Sequence, residues 1–257
     1  MSTYPVCLGS NGGFDHHDGT TCLQIREDIC IDAGTGLSYL SAQACADIQT
    51  FFITHSHLDH IASLPFLVNQ RLMEQGQPIH VYASLETIKA MQAHIFNDLI
   101  WPDFSKLPNK TSPILSWHPV SAYQSIQTGS LEMTAIPVAH SVPSFGFHIH
   151  DRATGICWAF TGDSHSNDTF WNALNDLHPV TDVVCDCQYT NAETELSVIA
   201  GHYTPDTLAI DVEKLSFKPR IWISHVPYEQ RTQVLEQARS AMPNHAVEHV
   251  SKISLIG

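Results

Sequence analysis

The chain has 257 residues, of which 43% are hydrophobic, so it is long enough to bury a sizeable core within one domain. Its 12 Lys and Arg residues are outnumbered by 26 Asp and Glu residues, and the formal net charge of −14 argues against a partner as anionic as RNA. No apolar stretch approaches the roughly 18 residues of a membrane span, and the first residues lack the regions of a signal peptide, so we expect a cytoplasmic protein without membrane contacts.

The N-terminal region consists of short apolar runs separated by glycine-rich segments. Residues 6–8 predict a strand that enters a glycine-rich loop, and residues 21–25 and 29–32 predict a hairpin. The loop carries His16 and His17, which we interpret as surface residues, with a place at the mouth of a site as the alternative.

The middle of the chain shows helical periodicity twice. Residues 61–75 repeat apolar side chains at helical spacing, and so do residues 85–99, which follow a predicted strand at 79–82 and have Ser84 as a candidate cap. Residues 101–116 are polar and punctuated by proline, so they predict a loop that is a candidate lid.

The second half of the chain alternates strands and helices. Strands are predicted at residues 131–138, 145–150, 156–161, 183–185, 221–223 and 252–256. Helices are predicted from Thr204-Pro205 onward and at residues 229–241. This alternation, together with the early hairpin, predicts a mixed α/β protein built in layers. Because the chain has no repeat, low-complexity segment or obvious linker, we expect a single domain over residues 1–257.

The seven cysteines are an odd number, and most of them lie in apolar stretches. This pattern is typical of buried free thiols in a reducing compartment. Cys185 and Cys187 are a candidate metal-binding pair, but two core positions on the same face of a strand are the favoured interpretation.

The segment Thr54-His55-Ser56-His57-Leu58-Asp59-His60 places three imidazoles and a carboxylate within six residues, directly after an apolar run. Neutral imidazole and carboxylate suit Zn²⁺, Mn²⁺ or Fe²⁺. His55 and His57 are two residues apart, so they point the same way on an extended segment, while Asp59 and His60 follow as the chain turns. Four such groups favour two metal ions over one.

Three later residues of metal-binding type also lie at the end of a predicted strand: His140, Asp163 and His225 each follow an apolar run. Polar groups at strand ends are commonly used to build functional sites. Each residue taken singly would be a satisfied surface or core residue, but the repetition predicts that all three join the first cluster.

In their order along the chain, these motifs resemble the metallo-β-lactamase superfamily, and the resemblance covers nearly the whole chain. It implies an α/β fold, the four-layer αββα sandwich, with a dinuclear metal site. In the implied ligand set, one metal binds His55, His57 and His140, the other binds Asp59, His60 and His225, and Asp163 bridges them together with a water. An aspartate at the bridging position, where many lactamases have cysteine, fits hydrolases of phosphodiesters or thioesters better.

The segment Gly201-His202-Tyr203-Thr204-Pro205 resembles the histidine motif of the branch that contains tRNase Z and the class II cyclic-nucleotide phosphodiesterases. In that branch the histidine contacts the scissile phosphate. His202 also precedes a predicted helix start, where backbone N–H groups favour anions. A capping or solvent-facing role is the alternative for His202.

Residues 61–68 and 95–102 resemble the class II cyclic-nucleotide phosphodiesterases most. The chain has Ala62-Ser63 where that family often has Ser-Gly, which leaves the substrate open. Phe96 and Trp101 could stack on a base, but packing against a helix is the favoured interpretation.

The resemblance implies a phosphodiesterase that opens a 3′,5′-cyclic nucleotide (cAMP or cGMP) to the 5′-monophosphate by attack of a hydroxide that bridges two divalent metal ions. Zinc is the favoured metal, and Mn²⁺ and Fe²⁺ are alternatives. Asp59 would hold its metal and orient the proton of the hydroxide, and His202 would bind a phosphoryl oxygen or help protonate the leaving oxygen. The expected partner is a small phosphodiester and not a nucleic acid, and family analogy suggests a homodimer.

Two other functions stay open at this point. Processing of tRNA 3′ ends needs an RNA-gripping arm rich in glycine, proline and basic residues, which the sequence lacks, and the charge of −14 opposes it. The second alternative is a metal-dependent thioesterase or lactonase, or a regulatory protein that retains the metal site as a sensor. It would not need His202 or a helix start that favours anions.

Overall fold

The computed structural model describes residues 5–13 and 15–251, so the strand predicted at residues 252–256 lies outside the described part. The described residues up to Val120 form one compact unit, and those from Ser121 onward form a second. A single hydrolase domain over residues 1–257 stays a prediction.

The strands of the first unit, as far as it is described, are β1 (Val6–Asn11), β2 (Gly19–Thr20), β3 (Cys22–Arg26), β4 (Ile29–Ile31), β5 (Thr50–Phe52), β6 (Ile79–Ala83), β7 (Pro108–Asn109), β8 (Ser112–Pro113) and β9 (Leu115–Pro119). All but β7 and β8, which pair with each other, form one sheet in the order β2-β1-β3-β4-β5-β6-β9. Strands β4, β5, β6 and β9 are parallel neighbours. Their carboxyl ends therefore share one edge, where residues 54–60, the histidine-rich segment, follow β5.

The helices of the first unit are α1 (Ala42–Asp47), α2 (Leu58–Ile61), α3 (Leu64–Met73) and α4 (Leu85–His94). Leu64 and Val68 of α3 and Met91 of α4 are fully buried in the same core as the sheet residues Phe51 and Val81. The predicted helix at 61–75 is confirmed in α3, whereas the residues before it form the separate short helix α2.

Two predictions in this unit are wrong in extent. Helix α4 ends at His94 and not near Leu99, because Asn97 turns the chain: its amide nitrogen donates to the Ala93 carbonyl, and its oxygen accepts from the N–H groups of Leu99 and Ile100. The predicted loop at 101–116 contains the paired strands β7 and β8 and runs into β9.

The strands of the second unit are β10 (Ser125–Thr128), β11 (Leu131–Val138), β12 (Ser144–Asp151), β13 (Cys157–Phe160), β14 (Asp182–Asp186), β15 (Arg220–Ser224) and β16 (Val247–His249). Among the described residues they form one sheet in sequence order. The register is antiparallel from β10 to β13 and parallel from β13 to β16. Strands β11, β13, β14 and β15 therefore point the same way, and their carboxyl ends share one edge.

The helices of the second unit are α5 (Thr169–Asp176), α6 (Thr194–Ala200), α7 (Pro205–Val212) and α8 (Arg231–Ala241). The predicted start of α7 is confirmed, because the Thr204 side chain caps the helix and Pro205 occupies its first turn. Tyr203, just before it, is fully buried, and its hydroxyl donates to Asp211 Oδ2 at 2.6 Å and accepts from Trp171 Nε1 at 3.0 Å. These contacts fix the segment between α6 and α7, which carries His202.

Within the described residues, we find no helix of the length and apolarity that crossing a bilayer requires. The cytoplasmic location stays a prediction. All seven cysteines lie in the described part and are free thiols, and Cys185 and Cys187 are buried in the apolar core of the second unit, which agrees with the core interpretation.

Candidate metal centre

The histidine-rich segment of the first unit is extended up to His57, which lies at the N-cap of α2, and then turns into that helix. The rings of His55 and His57 have their centroids 4.6 Å apart, and those of His55 and His60 are 4.2 Å apart. Asp59 lies in the first turn of α2, with Oδ2 at 3.5 Å from His60 Nε2. As predicted, the segment brings three imidazoles and one carboxylate together.

A buried aspartate that the sequence analysis did not single out as a site residue fixes this cluster. Asp32 is fully buried after β4, and its carboxylate lies 2.7 Å from His60 Nδ1 and accepts hydrogen bonds from the N–H and hydroxyl of Thr54. The Thr54 hydroxyl also lies 3.0 Å from His55 Nδ1. Burial raises the pKa of Asp32 and outweighs the opposing effect of His60 and Thr54.

The three predicted ligands of the second unit lie at the shared edge of its sheet. His140 follows β11, Asp163 follows β13, and His225 follows β15. Asp163 Oδ2 lies 3.3 Å from His225 Nε2 and 3.9 Å from His140 Nε2. His140 Nδ1 lies 2.9 Å from the Gly201 carbonyl oxygen, and burial lowers the pKa of His140 despite the nearby Asp163. The structure thus brings these three together.

Asp186 and His202 form a pair beside these ligands. Asp186 is buried at the end of β14, and its Oδ2 lies 2.8 Å from His202 Nδ1 and accepts from the Ser164 N–H at 3.0 Å. The His202 ring stacks on the His225 ring, with centroids 5.0 Å apart and an interplanar angle of 14°. The sequence analysis identified His202 but not Asp186, although Asp186 also ends an apolar run.

These side chains fit divalent metal ions by their chemistry. Imidazole nitrogens and carboxylates are the ligands of Zn²⁺ and similar ions. His60, His55 and His140 each have Nδ1 next to a carboxylate, hydroxyl or carbonyl oxygen, which is the usual support of a metal-binding histidine. Because Nδ1 of each ring has this contact, Nε2 is the candidate metal-binding atom.

His16 and His17 are exposed loop residues, in agreement with the favoured interpretation. Their ring centroids are 3.7 Å apart, and together with Asp15 they form a small group of metal-binding types.

Comparison with solved structures identifies the fold. A metallo-β-lactamase fold protein of Bacillus subtilis, YhfI, superposes with a TM-score of 0.74 at 17% identity, over 95% of this chain and 95% of that one. The unliganded yeast phosphodiesterase PDE1 superposes with a TM-score of 0.79 at 19% identity, over 94% of this chain and 95% of that one. The protein therefore has the metallo-β-lactamase fold, as its motifs predict.

Sequence comparison identifies the family. The profile described as "cAMP phosphodiesterases class-II" matches residues 38–252, so the chain belongs to the class-II cAMP phosphodiesterase family. A 3′,5′-cyclic-nucleotide phosphodiesterase of Schizosaccharomyces pombe is 29% identical over 132 residues, which is 51% of this chain and 34% of that relative. The matched part thus spans about a third of that relative's length.

Proposed function

We propose that this protein is a metal-dependent phosphodiesterase that hydrolyses 3′,5′-cyclic nucleotides to 5′-monophosphates. The observation that carries the proposal is the support of the histidines: in each unit, buried rings have Nδ1 held by a neighbouring oxygen. Membership of the class-II family supports it, because the family match spans both groups of candidate ligands.

The proposed ligand set is the one that the resemblance implies. His55, His57 and His140 would hold one divalent ion, Asp59, His60 and His225 would hold the second, and Asp163 would contribute to both. Zinc is the proposed metal, with Mn²⁺ and Fe²⁺ as alternatives. When bound, two such ions supply hydroxide near neutral pH and offset the charge of the phosphoryl oxygens.

The proposed role of His202 is to contact the scissile phosphate. Its Nδ1 is engaged by Asp186, so the ring is held in one orientation and presents Nε2 to the substrate. From there it binds a phosphoryl oxygen or donates a proton to the departing 3′-oxygen. Asp186 acts through His202 and is a positioning residue.

The charge of the chain favours a small phosphodiester over RNA. With 12 Lys and Arg residues against 26 Asp and Glu residues, it offers few partners for a run of backbone phosphates. A homodimer is part of this proposal by family analogy, and sedimentation velocity would contradict it by showing a monomer at micromolar concentration.

A substrate panel tests the function. The protein is loaded with Zn²⁺ or Mn²⁺ and assayed on cyclic AMP, cyclic GMP, a precursor tRNA and a thioester. Conversion of the cyclic nucleotides to 5′-monophosphates is expected. If the tRNA or the thioester is cleaved and the cyclic nucleotides are not, the proposed function is wrong.

A further inference from the structure

An apolar cleft lies in the first unit beside the histidine-rich segment. It has a volume of about 190 Å³, and all the side chains that line it are apolar or aromatic, among them Leu58, Phe66, Phe96, Ile100 and Trp101. Concave, mostly apolar clefts of this kind commonly bind small molecules.

The cleft has a buried floor and an exposed rim. Met91 and Phe96 at the floor are 0% and 2% exposed, whereas Leu58, Phe66 and Ile100 at the rim are each 65% exposed. A clustered apolar rim of this kind is unusual on a surface unless it meets a ligand or partner. The packing interpretation of Phe96 is therefore confirmed, while the ring at position 66 faces outward.

The rim is held in place before any ligand binds. Trp101 Nε1 donates to the Pro65 carbonyl at 3.1 Å, and the Trp101 and Phe66 rings meet edge to face, with centroids 5.3 Å apart. The Asn97 side chain accepts from the Ile100 N–H at 2.8 Å and so fixes the other side of the cleft. Such preorganisation reduces the entropic cost of binding.

The position of the cleft indicates its occupant. Leu58, on its rim, is the residue between His57 and Asp59, both of which are proposed metal ligands. A phosphodiester held by these ligands would carry its nucleoside within reach of the rim. This step rests on the proposed function.

We propose that the cleft receives the base of the cyclic nucleotide. Phe66 and Trp101 offer ring faces on which a base can stack, and the remaining lining side chains offer apolar contact. Because no side chain of the lining is charged, the cleft recognises the flat face of the base and not the pattern of donors and acceptors on its edge.

The test compares two substrates that differ only in the base. Cyclic AMP and the 3,5-cyclic phosphate of 1-O-methylribose share the reacting group and the sugar, but the second has no base. Phe66→Ser is expected to lower kcat/KM for cyclic AMP by about tenfold, the size of a lost base stack. Ile100→Ser, which removes apolar contact with the base, is expected to lower it as well. Both variants should leave the base-free substrate unchanged. Met73→Ser is the matched control, because Met73 is 76% exposed on the same helix as Phe66 and lies outside the cleft.

Three outcomes would overturn the inference. Equal losses on both substrates would place the defect at the phosphate, unchanged kinetics on both would leave the cleft without a role, and a changed sedimentation coefficient in the cleft variants alone would make it an interface between copies. If the wild-type protein hydrolyses neither substrate, the proposed function fails instead. Calorimetric titration with adenosine then decides the inference separately: binding that is lost in Phe66→Ser supports it, and no binding to the wild type refutes it.

Discussion

At the residue scale, the distinctive feature is that several histidine rings are oriented by polar contacts between Nδ1 and a neighbouring oxygen. Asp32 holds His60, the Gly201 carbonyl holds His140, and Asp186 holds His202. Burying a carboxylate such as Asp32 is costly unless its partners compensate. The function of such a buried carboxylate is to orient a neighbouring side chain that binds a metal or a substrate.

Asp32→Asn tests this orienting role. Asp32 has a φ of 58°, a left-handed conformation that Asn adopts readily, so the backbone should keep its path. The amide provides a weaker acceptor for His60 Nδ1, and we expect the metal affinity to fall by about 10- to 100-fold. Competition with a zinc-binding dye measures it. Asp47→Asn, at an exposed carboxylate, is the control, and an unchanged affinity in Asp32→Asn would show that Asp32 has no orienting role.

Asp163→Ala and His202→Ala separate metal binding from substrate chemistry. Removing the proposed shared ligand Asp163 should lower both the metal content and kcat, whereas His202→Ala should keep the metals and lower kcat by about 10²- to 10⁴-fold. Metal analysis and initial rates on cyclic AMP distinguish the two. His94→Ala, at an exposed histidine, should change neither quantity. Loss of metal from His202→Ala would make His202 a ligand and contradict its proposed role.

At the element scale, strand ends were the features that the sequence predicted best. Apolar runs that stop at a polar residue located β5, β11, β13 and β15 and the candidate ligands that follow them. This works because the end of a buried strand is a local property of the sequence. Asp32 and Asp186 sit at equivalent strand ends, but their roles come from partners 28 and 16 residues away, which no local pattern contains.

The end of α4 shows the opposite case. Apolar periodicity continues to Leu99, yet Leu99 is 90% exposed, because the helix stops at His94. The Asn97 side chain competes for backbone groups that the helix would use, and Asp98 takes a φ of 64°. Hydrogen bonds from a side chain to the backbone can thus end a helix although the apolar periodicity of the sequence continues. The same Asn97 side chain positions Ile100 at the rim of the apolar cleft.

Gly34, which follows β4, lies where Asp59 of the histidine-rich segment and Thr20 of β2 come close to its backbone. Gly34 has an ordinary φ of −68°, but a Cβ there would collide with the Asp59 carbonyl oxygen and with Thr20. Gly34→Ala should therefore lower the free energy of unfolding by about 1–3 kcal/mol through overpacking. Urea unfolding measures this loss. Gly13→Ala is the matched control, because a Cβ at Gly13 would have Asn11 Oδ1, at 3.8 Å, as its nearest neighbour. Equal losses in the two variants would contradict the steric explanation.

At the scale of the whole molecule, the charge and the proposed metals are linked. Two divalent cations would change the formal charge from −14 to −10 (−14 + 4). Self-repulsion of a charged chain destabilises the compact state, and salt screens it over a Debye length of about 8 Å at 0.15 M. Metal loss should therefore destabilise the protein through lost ligand bonds at any salt, and through repulsion mainly at low salt.

Thermal unfolding with and without a chelator tests this linkage. Each ion present at about 100 times its Kd stabilises the folded state by about 2.7 kcal/mol, which corresponds to a Tm shift of roughly 5–10 °C per ion at this chain length. We expect the chelator to lower Tm by this order, and by more at low salt than at 1 M salt. In Asp163→Ala the same chelator should have a smaller effect, because a proposed shared ligand is already missing. A wild-type Tm that does not change, although metal analysis shows the ions removed, would mean that these side chains hold no ion that matters to the fold.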